Sequence, residues 1–297
     1  MQETDSIALT QQYKKPTHTI IHASDTQLLG ESGTWHGYPL DADQKLDELV
    51  TTIEATGIRP DALVFTGDLA DKGEVEAYRK LRNAVEPVAD RIGAELIWVM
   101  GNHDERAAFR SSLLYEEPSL APIDKVYEIN GLRIISLDTS IPGHHFGLVT
   151  DDQLAWLSEV LSTTSDSGTI LAMHHPPIPA VIPLAQTVEL QDQSSLADVI
   201  RGSDIRSIIA GHLHYSSFGS FAGIPVSVAS SACYTQDLAA TFGETRPRST
   251  AQAFNLIHVY PETILHSVVP VGESEVVGET VPSERVREIL SAAGFLV

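Results

Sequence analysis

Five short polar stretches in this chain each follow an apolar run: SDTQ at 24–27, TGDLAD at 66–71, GNHD at 101–104, HH at 174–175 and GHLH at 211–214. Together they offer Asp25, Gln27, Asp68, Asn102, His103, His174, His212 and His214. Carboxylate, amide oxygen and imidazole in one set suit Mn, Fe or Zn better than Ca, which prefers oxygen alone. Two such ions about 3.5–4 Å apart, sharing one carboxylate, make a hydrolytic centre that acidifies water and clamps a phosphoryl group. The expected cofactor is a pair of divalent metal ions, Mn, Fe or Zn, and the expected chemistry is hydrolysis.

Residues so far apart in the chain need a scaffold that delivers them to one place. In open α/β sheets the ligand lies beyond the carboxyl ends of the strands. Apolar runs at 17–24, 61–67 and 94–100 read as strands, separated by helical patterns at 41–57 and 74–93. The first helix places Leu46, Leu49, Val50 and Ile53 on one face, with Gly57 past its end; Pro87 marks a kink or break in the second. Strands alternating with helices signal a parallel βαβαβ layer. A hairpin follows at 125–140, turning at Asn130-Gly131, then a helix at 150–162 capped by Thr150 or Asp151. Strands at 169–175 and 205–214 flank a Pro-rich loop and a short helix near 194–202. Two more hairpins, at 217–230 and 252–271, precede a final helix at 282–294, with Ser283 as its N-cap and Gly294 past its end.

Each candidate ligand falls at a strand end in this reading. Asp25 and Gln27, like His212 and His214, are two apart, which in extended backbone projects both to one face. Gly67, Gly101 and Gly211 precede key residues and let the backbone turn sharply where the site is crowded. The chain divides into a polar N-terminal arm at 1–16, one domain at 17–270, and a C-terminal extension with a short helix at 271–297.

In this order, D-x-[H], GD, GNHD, HHP and GHxH resemble the calcineurin-like metallophosphoesterases, over roughly residues 18–270. The stretches FTGDLADKGE, YRKLR, VMGNHDERA, HHPPIP and AGHLHYS look closer still to class III cyclic-nucleotide phosphodiesterases, a branch active on cyclic AMP. The resemblance implies an α/β fold, a four-layer αββα sandwich of two mixed sheets flanked by helices. It implies that Asp25, position 27, Asp68 and His214 hold one ion, and that Asp68, Asn102, His174 and His212 hold the other, with Asp68 bridging. Asp68, Asn102 and His103 would be the catalytic set. A metal-bridging hydroxide would attack the phosphorus of a 3′,5′-cyclic nucleotide and release the 5′-monophosphate. His103 would neutralise charge on the phosphoryl oxygens and protonate the leaving oxygen. A homodimer is implied as well. Other small phosphodiesters, 2′,3′-cyclic nucleotides and glycerophosphodiesters among them, stay open as substrates, because substrate choice lies in loops.

The family pattern has His where this chain has Gln27. Three readings compete: the amide oxygen coordinates; the side chain steps back and water takes its place; or the first ion is held weakly by design. An amide oxygen is a harder and weaker donor to these metals than imidazole. The Asp25 site is therefore expected to be under-occupied or Mn-dependent. A rival reading, a binding protein with a crippled site, rests on Gln27 alone.

Composition narrows the partners. The 297 residues carry 40 acids against 19 bases, a formal charge of −21, which repels nucleic acid and anionic membranes. A small phosphodiester is compatible with that field if bound cations reverse it inside a pocket. The single cysteine, Cys233, permits no intrachain disulfide and fits a reducing compartment; with no signal-peptide or membrane-length apolar run, the expected location is the cytoplasm. Cys233 and Trp98 read as core, and His22, His258 and His266 as structural. Asp104 reads as a helix N-cap and Asp71 as a loop stabiliser. His175 orients His174, touches substrate or serves packing alone. His144 and His145 form a solvated loop or a rim against phosphate or base.

Overall fold

The computed structural model describes residues 10–31, 35–272 and 275–295. Among the described residues, thirteen strands and six α-helices run as β1 (His18–Ala23), α1 (Ala42–Ala55), β2 (Ala62–Thr66), α2 (Val75–Ile92), β3 (Glu95–Val99), α3 (Arg106–Phe109), β4 (Lys125–Ile129), β5 (Leu132–Leu137), α4 (Asp151–Val160), β6 (Thr169–Met173), α5 (Gln193–Ile200), β7 (Ile205–Ala210), β8 (Ser217–Phe221), β9 (Ile224–Val228), β10 (Thr235–Gln236), β11 (Pro247–Arg248), β12 (Ala253–Val259), β13 (Ile264–Pro270) and α6 (Ser283–Ala292). One sheet has the order β13-β12-β1-β2-β3, the other β4-β5-β6-β7-β9-β8; β10 and β11 pair separately. In the first sheet β1, β2 and β3 are parallel, and β12 and β13 antiparallel. In the second β5, β6, β7 and β9 are parallel, with β4 and β8 antiparallel at its edges.

Three buried clusters separate four layers. Leu46, Leu49 and Ile53 of α1, with Tyr78 and Leu81 of α2, pack on Ile21, Leu63, Phe65 and Trp98. Ile20, Val64, Ile97 and Val99 meet Ile134, Ile170 and Ile209 between the sheets. Leu154 and Leu157 of α4 and Leu196 and Ile200 of α5 cover Ile135, Leu171 and Ile208. Strands buried on both faces read as continuous apolar runs, which is why β2 and β6 show no alternation. The αββα sandwich expected from the sequence is the observed architecture.

Local signals hold at the β4–β5 turn, where Asn130 (φ 49°) and Gly131 (φ 88°) take the two left-handed positions that match strand twist. Thr150 caps α4 in a reciprocal capping box with Gln153. Two helix details differ. Helix α2 runs through Pro87 unbroken, because Pro87 and Asn83, whose carbonyl loses its amide partner, both face solvent. The N-cap of α6 is Pro282 rather than Ser283, which has become the first helical residue; no side chain of α6 is buried, so no packing fixes its start. Of the polar arm, residues 1–9 lie outside the described residues, and 10–16 form no helix or strand. In the extension, residues 273–274 and 296–297 also lie outside them.

Candidate metal centre

The parallel strands of both sheets end on one side, and their next residues turn into a common cavity. The turns are sharper than strand continuation. Asp25 (φ 56°), Gln27 (φ 48°), Asp68 (φ 51°), His212 (φ 72°) and His214 (φ 59°) all adopt left-handed backbone, which non-glycine residues enter rarely. The two-residue spacing of Asp25/Gln27 and of His212/His214 therefore works differently from the extended pairing expected from sequence: β1 stops at Ala23 and β7 at Ala210, before the ligands. Strained backbone of this kind persists where surrounding contacts over-determine it, and it gathers at functional sites. Those contacts are present. A Cβ at Gly101 would overlap the backbone nitrogen and Oδ1 of Asp68, and one at Gly211 would overlap Ser24 and come within 2.6 Å of Asp25 Oδ2.

Backbone carbonyls behind the imidazoles decide which nitrogen faces the cavity. His174 Nδ1 donates to Thr66 O at 2.7 Å, leaving Nε2 forward. His212 Nε2 donates to Val188 O at 2.9 Å, leaving Nδ1 forward. His214 Nδ1 donates to Tyr234 O at 2.9 Å, leaving Nε2 forward. Metal-ligating histidines are typically oriented in this way by a partner on the far nitrogen.

The forward atoms converge in two groups. Around His174 Nε2 lie Asn102 Oδ1 at 3.1 Å, His212 Nδ1 at 3.2 Å and Asp68 Oδ2 at 3.3 Å. The second group has His214 Nε2 3.2 Å from Asp25 Oδ1, with Gln27 Nε2 donating to Asp68 Oδ2 at 3.1 Å. Asp25, Asp68 and His174 each offer a ligand atom within 4.8 Å of the others. Asp68 thus stands between the groups: Oδ1 accepts the His103 amide at 2.8 Å, and Oδ2 faces both His174 and Gln27.

Electron-pair bookkeeping tests whether a cation fits. With their far nitrogens donating, His174 Nε2 and His212 Nδ1 oppose lone pair to lone pair, as do His214 Nε2 and Asp25 Oδ1. Among the described residues, Asp25 Oδ1 and Gln27 Oε1 are buried acceptors without a hydrogen-bond donor. A buried acceptor without a donor is costly. A positive occupant satisfies such a set, and a proton on His174 is the simplest one: burial pulls His174 down, but Asp68, Asp25 and the Thr66 carbonyl together outweigh it, and its pKa rises to about 9. Burial raises Asp68, but His174 and His103 outweigh that and hold the carboxyl well below its ordinary range. The donor set fits divalent metal.

The surrounding residues sort into clear roles. His103 donates from Nδ1 to Asp71 O at 2.9 Å, and its Nε2 lies 4.0 Å from Asp68 Oδ2. Burial lowers the His103 pKa, yet Asp68 and the Asp71 carbonyl raise it overall. Asp71 is a loop stabiliser, as expected: its carboxylate accepts from Trp35 Nε1 at 3.2 Å and lies 3.0 Å from His36 Nε2. Asp104 is not the helix N-cap expected from sequence. That place belongs to Glu105, which accepts from the Ala108 amide. Asp104 instead accepts from the amides of Leu69, Ala70 and Gly101 and from Tyr78 Oη, clamping the Asp68 turn to the Asn102 turn. Burial, then Asp68, raises its pKa to about 7.

His175 lies within ligand distance of His174 and His212, but both its nitrogens are engaged. Nε2 donates to His145 O at 3.1 Å, and Nδ1 accepts from Thr139 Oγ1 at 2.8 Å. Burial and His174 hold its pKa down at about 3. His145, which this contact positions, reaches the cavity with Nδ1 3.2 Å from Asn102 Nδ2, while His144 stacks away on Phe146. The sequence places His145 between loop and rim and carries no signal for the carbonyls of Thr66, Val188 and Tyr234. Cys233 is buried core, its thiol pushed up to about 12 by burial. His22 is buried between the sheets with Nε2 2.8 Å from Thr66 Oγ1, and His266 pairs with Ser207; both are structural.

Known proteins share these features. The sequence model for the calcineurin-like phosphoesterase family matches residues 18–216. A cAMP/cGMP dual specificity phosphodiesterase of Mycobacterium tuberculosis is 55% identical over 286 residues, covering 96% of this chain and 90% of that protein. A probable cyclic nucleotide phosphodiesterase of Rhodococcus erythropolis is 54% identical, covering 96% and 94%. A dimetal phosphatase from Danio rerio shares the fold at 16% identity, with a TM-score of 0.60 over 85% of this chain and 99% of that one. With its strand-end turns, buried ligand set and matching sequence, the chain belongs to the calcineurin-like phosphoesterase family.

Proposed function

We propose that this protein is a metal-dependent phosphodiesterase that hydrolyses 3′,5′-cyclic nucleotides, cyclic AMP among them, to 5′-monophosphates. The observation that carries this reading is the convergence of Asp68, Asn102, His174 and His212 on one point, with Asp25, Gln27 and His214 beside it. The identity of more than half to relatives named as cyclic nucleotide phosphodiesterases supports the substrate.

Asp68, Asn102, His174 and His212 would hold one divalent ion, and Asp25, Gln27, Asp68 and His214 the other. Mn, Fe and Zn suit these donors. When bound, the pair would supply Lewis acidity that makes water a nucleophile near neutral pH and offsets charge on the phosphoryl oxygens. The protein's own groups do the rest. His103, fixed by the Asp71 carbonyl, presents Nε2 toward the cavity with its charged form favoured, so it can donate a proton to the leaving 3′ oxygen. Asp104 and Gly101 hold the Asp68 and Asn102 turns in register, so these groups need no rearrangement as charge develops. The cytoplasmic address and the homodimer belong to the same proposal. They rest on the single cysteine and on the family resemblance; no helix among the described residues is long and apolar enough to cross a membrane.

The test is a steady-state assay of metal-reconstituted protein with cyclic AMP, 2′,3′-cyclic AMP, a glycerophosphodiester and an aryl phosphodiester, across Mn, Fe, Zn and Mg. Highest kcat/KM on the 3′,5′-cyclic nucleotide is expected. Cleavage of the aryl diester without cleavage of cyclic AMP would move the substrate to another small phosphodiester. Absence of all hydrolysis would leave a binding protein.

A further inference from the structure

The cavity over the ligands has about 510 Å³ of free volume, within the range of sites for drug-sized ligands. Its walls are unlike. Asn102, His103 and His145 contribute polar lining, while Ile182, Leu184, Ala185, Val188 and Leu213 contribute an apolar surface. Residues 182–188 include no charged side chain.

All but Leu213 of this apolar surface comes from a loop that is tied closed. The Ala180 amide donates to Glu189 Oε1 at 2.8 Å, joining the two ends of the loop, and the Val181 amide donates to Tyr215 Oη at 3.1 Å. Pro183 opens the short helical turn Pro183–Val188 between them. The last residue of that turn, Val188, is held by the ligand itself through the His212 Nε2 bond to its carbonyl. Beyond it, the Gly147 amide donates to Glu189 O and the Gln191 amide to Gly147 O, which joins the loop to the segment carrying His145. The two walls are thus fixed to each other and to a metal ligand. Even so, Leu184 is 63% exposed. With Ile182, Ala185 and Val188 beside it in the lining, Leu184 extends an apolar cavity surface out to solvent, the kind of lining that small-molecule sites use.

We propose that the 180–189 loop is a purine subsite, on which the face of the substrate's nucleobase packs while the phosphate lies against Asn102 and His103. The inference rests on the phosphodiesterase reading and deepens it. The base is the apolar part of a cyclic nucleotide, and this wall is the apolar part of the cavity. Thr187, Tyr234, Gln236 and Thr245, polar groups that also line the cavity, are hydroxyls and an amide, groups that each donate and accept. Such groups can pair with adenine or with guanine. A wall that packs without a fixed hydrogen-bond pattern discriminates weakly, whereas a directed polar pocket rejects the wrong ligand by about 10⁴-fold or more. Adenine and guanine nucleotides therefore bind within about tenfold of each other.

Calorimetric titration of the Mn-loaded protein with 5′-AMP, 5′-GMP and ribose 5-phosphate tests this without requiring turnover. Both nucleotides should bind about fivefold or more tighter than ribose 5-phosphate, and within about tenfold of each other. Leu184→Ser should erase most of that advantage and leave ribose 5-phosphate unchanged, while Leu184→Met keeps it. Equal affinity for all three ligands in the parent, or equal weakening of all three by Leu184→Ser, overturns the subsite. The hydrolysis assay fails independently: a protein that binds both nucleotides through Leu184 but leaves cyclic AMP intact keeps the purine wall and loses the activity.

Discussion

The two halves of the metal cradle differ in both chemistry and support. The Asn102 half brings two imidazoles, each braced by a backbone carbonyl from another segment. The Gln27 half brings one braced imidazole, His214, and an amide whose oxygen is buried without a donor among the described residues. The Asn102 half is the richer in imidazole, which would favour Zn or Fe there; the Gln27 half is the richer in oxygen, which would favour Mn. On the proposed reading a single carboxylate, Asp68, would couple two sites of unequal strength, and the weaker one should respond most to the choice of metal.

Breaking the shared element should have the largest effect. Asp68→Ala is expected to lower bound metal from about two ions per chain to below one and to cut kcat/KM at least about 10³-fold. Elemental analysis beside an activity assay reads both, and two retained ions would remove Asp68 from the bridging role. The halves can then be ranked. His174→Ala, at the point where both carboxylate and amide converge, should weaken metal about 100-fold, and His214→Ala about tenfold. Equal losses in competition with a chelator would make the halves equivalent.

Sharpening the contrast needs one substitution in the other direction. Gln27→His should tighten the weaker site by at least about tenfold and turn a two-step chelation curve into one step. An unchanged curve would mean that Gln27 does not limit that site. The smallest effect lies in the scaffold beneath. Burial, with His266 contributing, lowers His22 from 6.5 to about 3, and burial lowers His266 to about 4. The unfolded chain therefore takes up protons first as pH falls. Stability is fully present above pH 6.5 and declines toward pH 4 and below, approaching about 1.4 kcal/mol per pH unit for each ring. Urea midpoints measured from pH 7 to 4 should slope less in His22→Leu than in the parent, and matching slopes would exclude His22.

Much of the scaffold was legible because its signals are local. The face of Leu46, Leu49 and Ile53, the Asn130-Gly131 turn and the Thr150 cap each depend on residues a few positions apart. The site was legible as a list of donors for a similar reason: each polar stretch directly follows its strand. Local signals failed where a neighbour distant in sequence outcompeted them. Asp104 looked like a cap, but the Leu69 and Ala70 amides of the Asp68 turn and Tyr78 Oη reach it instead, along with the Gly101 amide of its own turn. Pro87 looked like a break, but its exposed face let the helix continue.

By itself the amino-acid sequence determined the order of the main strands and helices, their apolar faces, and the types of donor at each strand end, because these depend on side-chain chemistry and short spacings; the four-layer stacking followed from the family resemblance. Only the tertiary structure decided which imidazole nitrogen faces the cavity, that the ligands turn through left-handed backbone, that Gln27 leaves a buried oxygen unpaired, and that an apolar loop faces the histidines. Each of these is set by a contact between segments tens to hundreds of positions apart, and the free energy of such a contact exists only once both segments have been brought together.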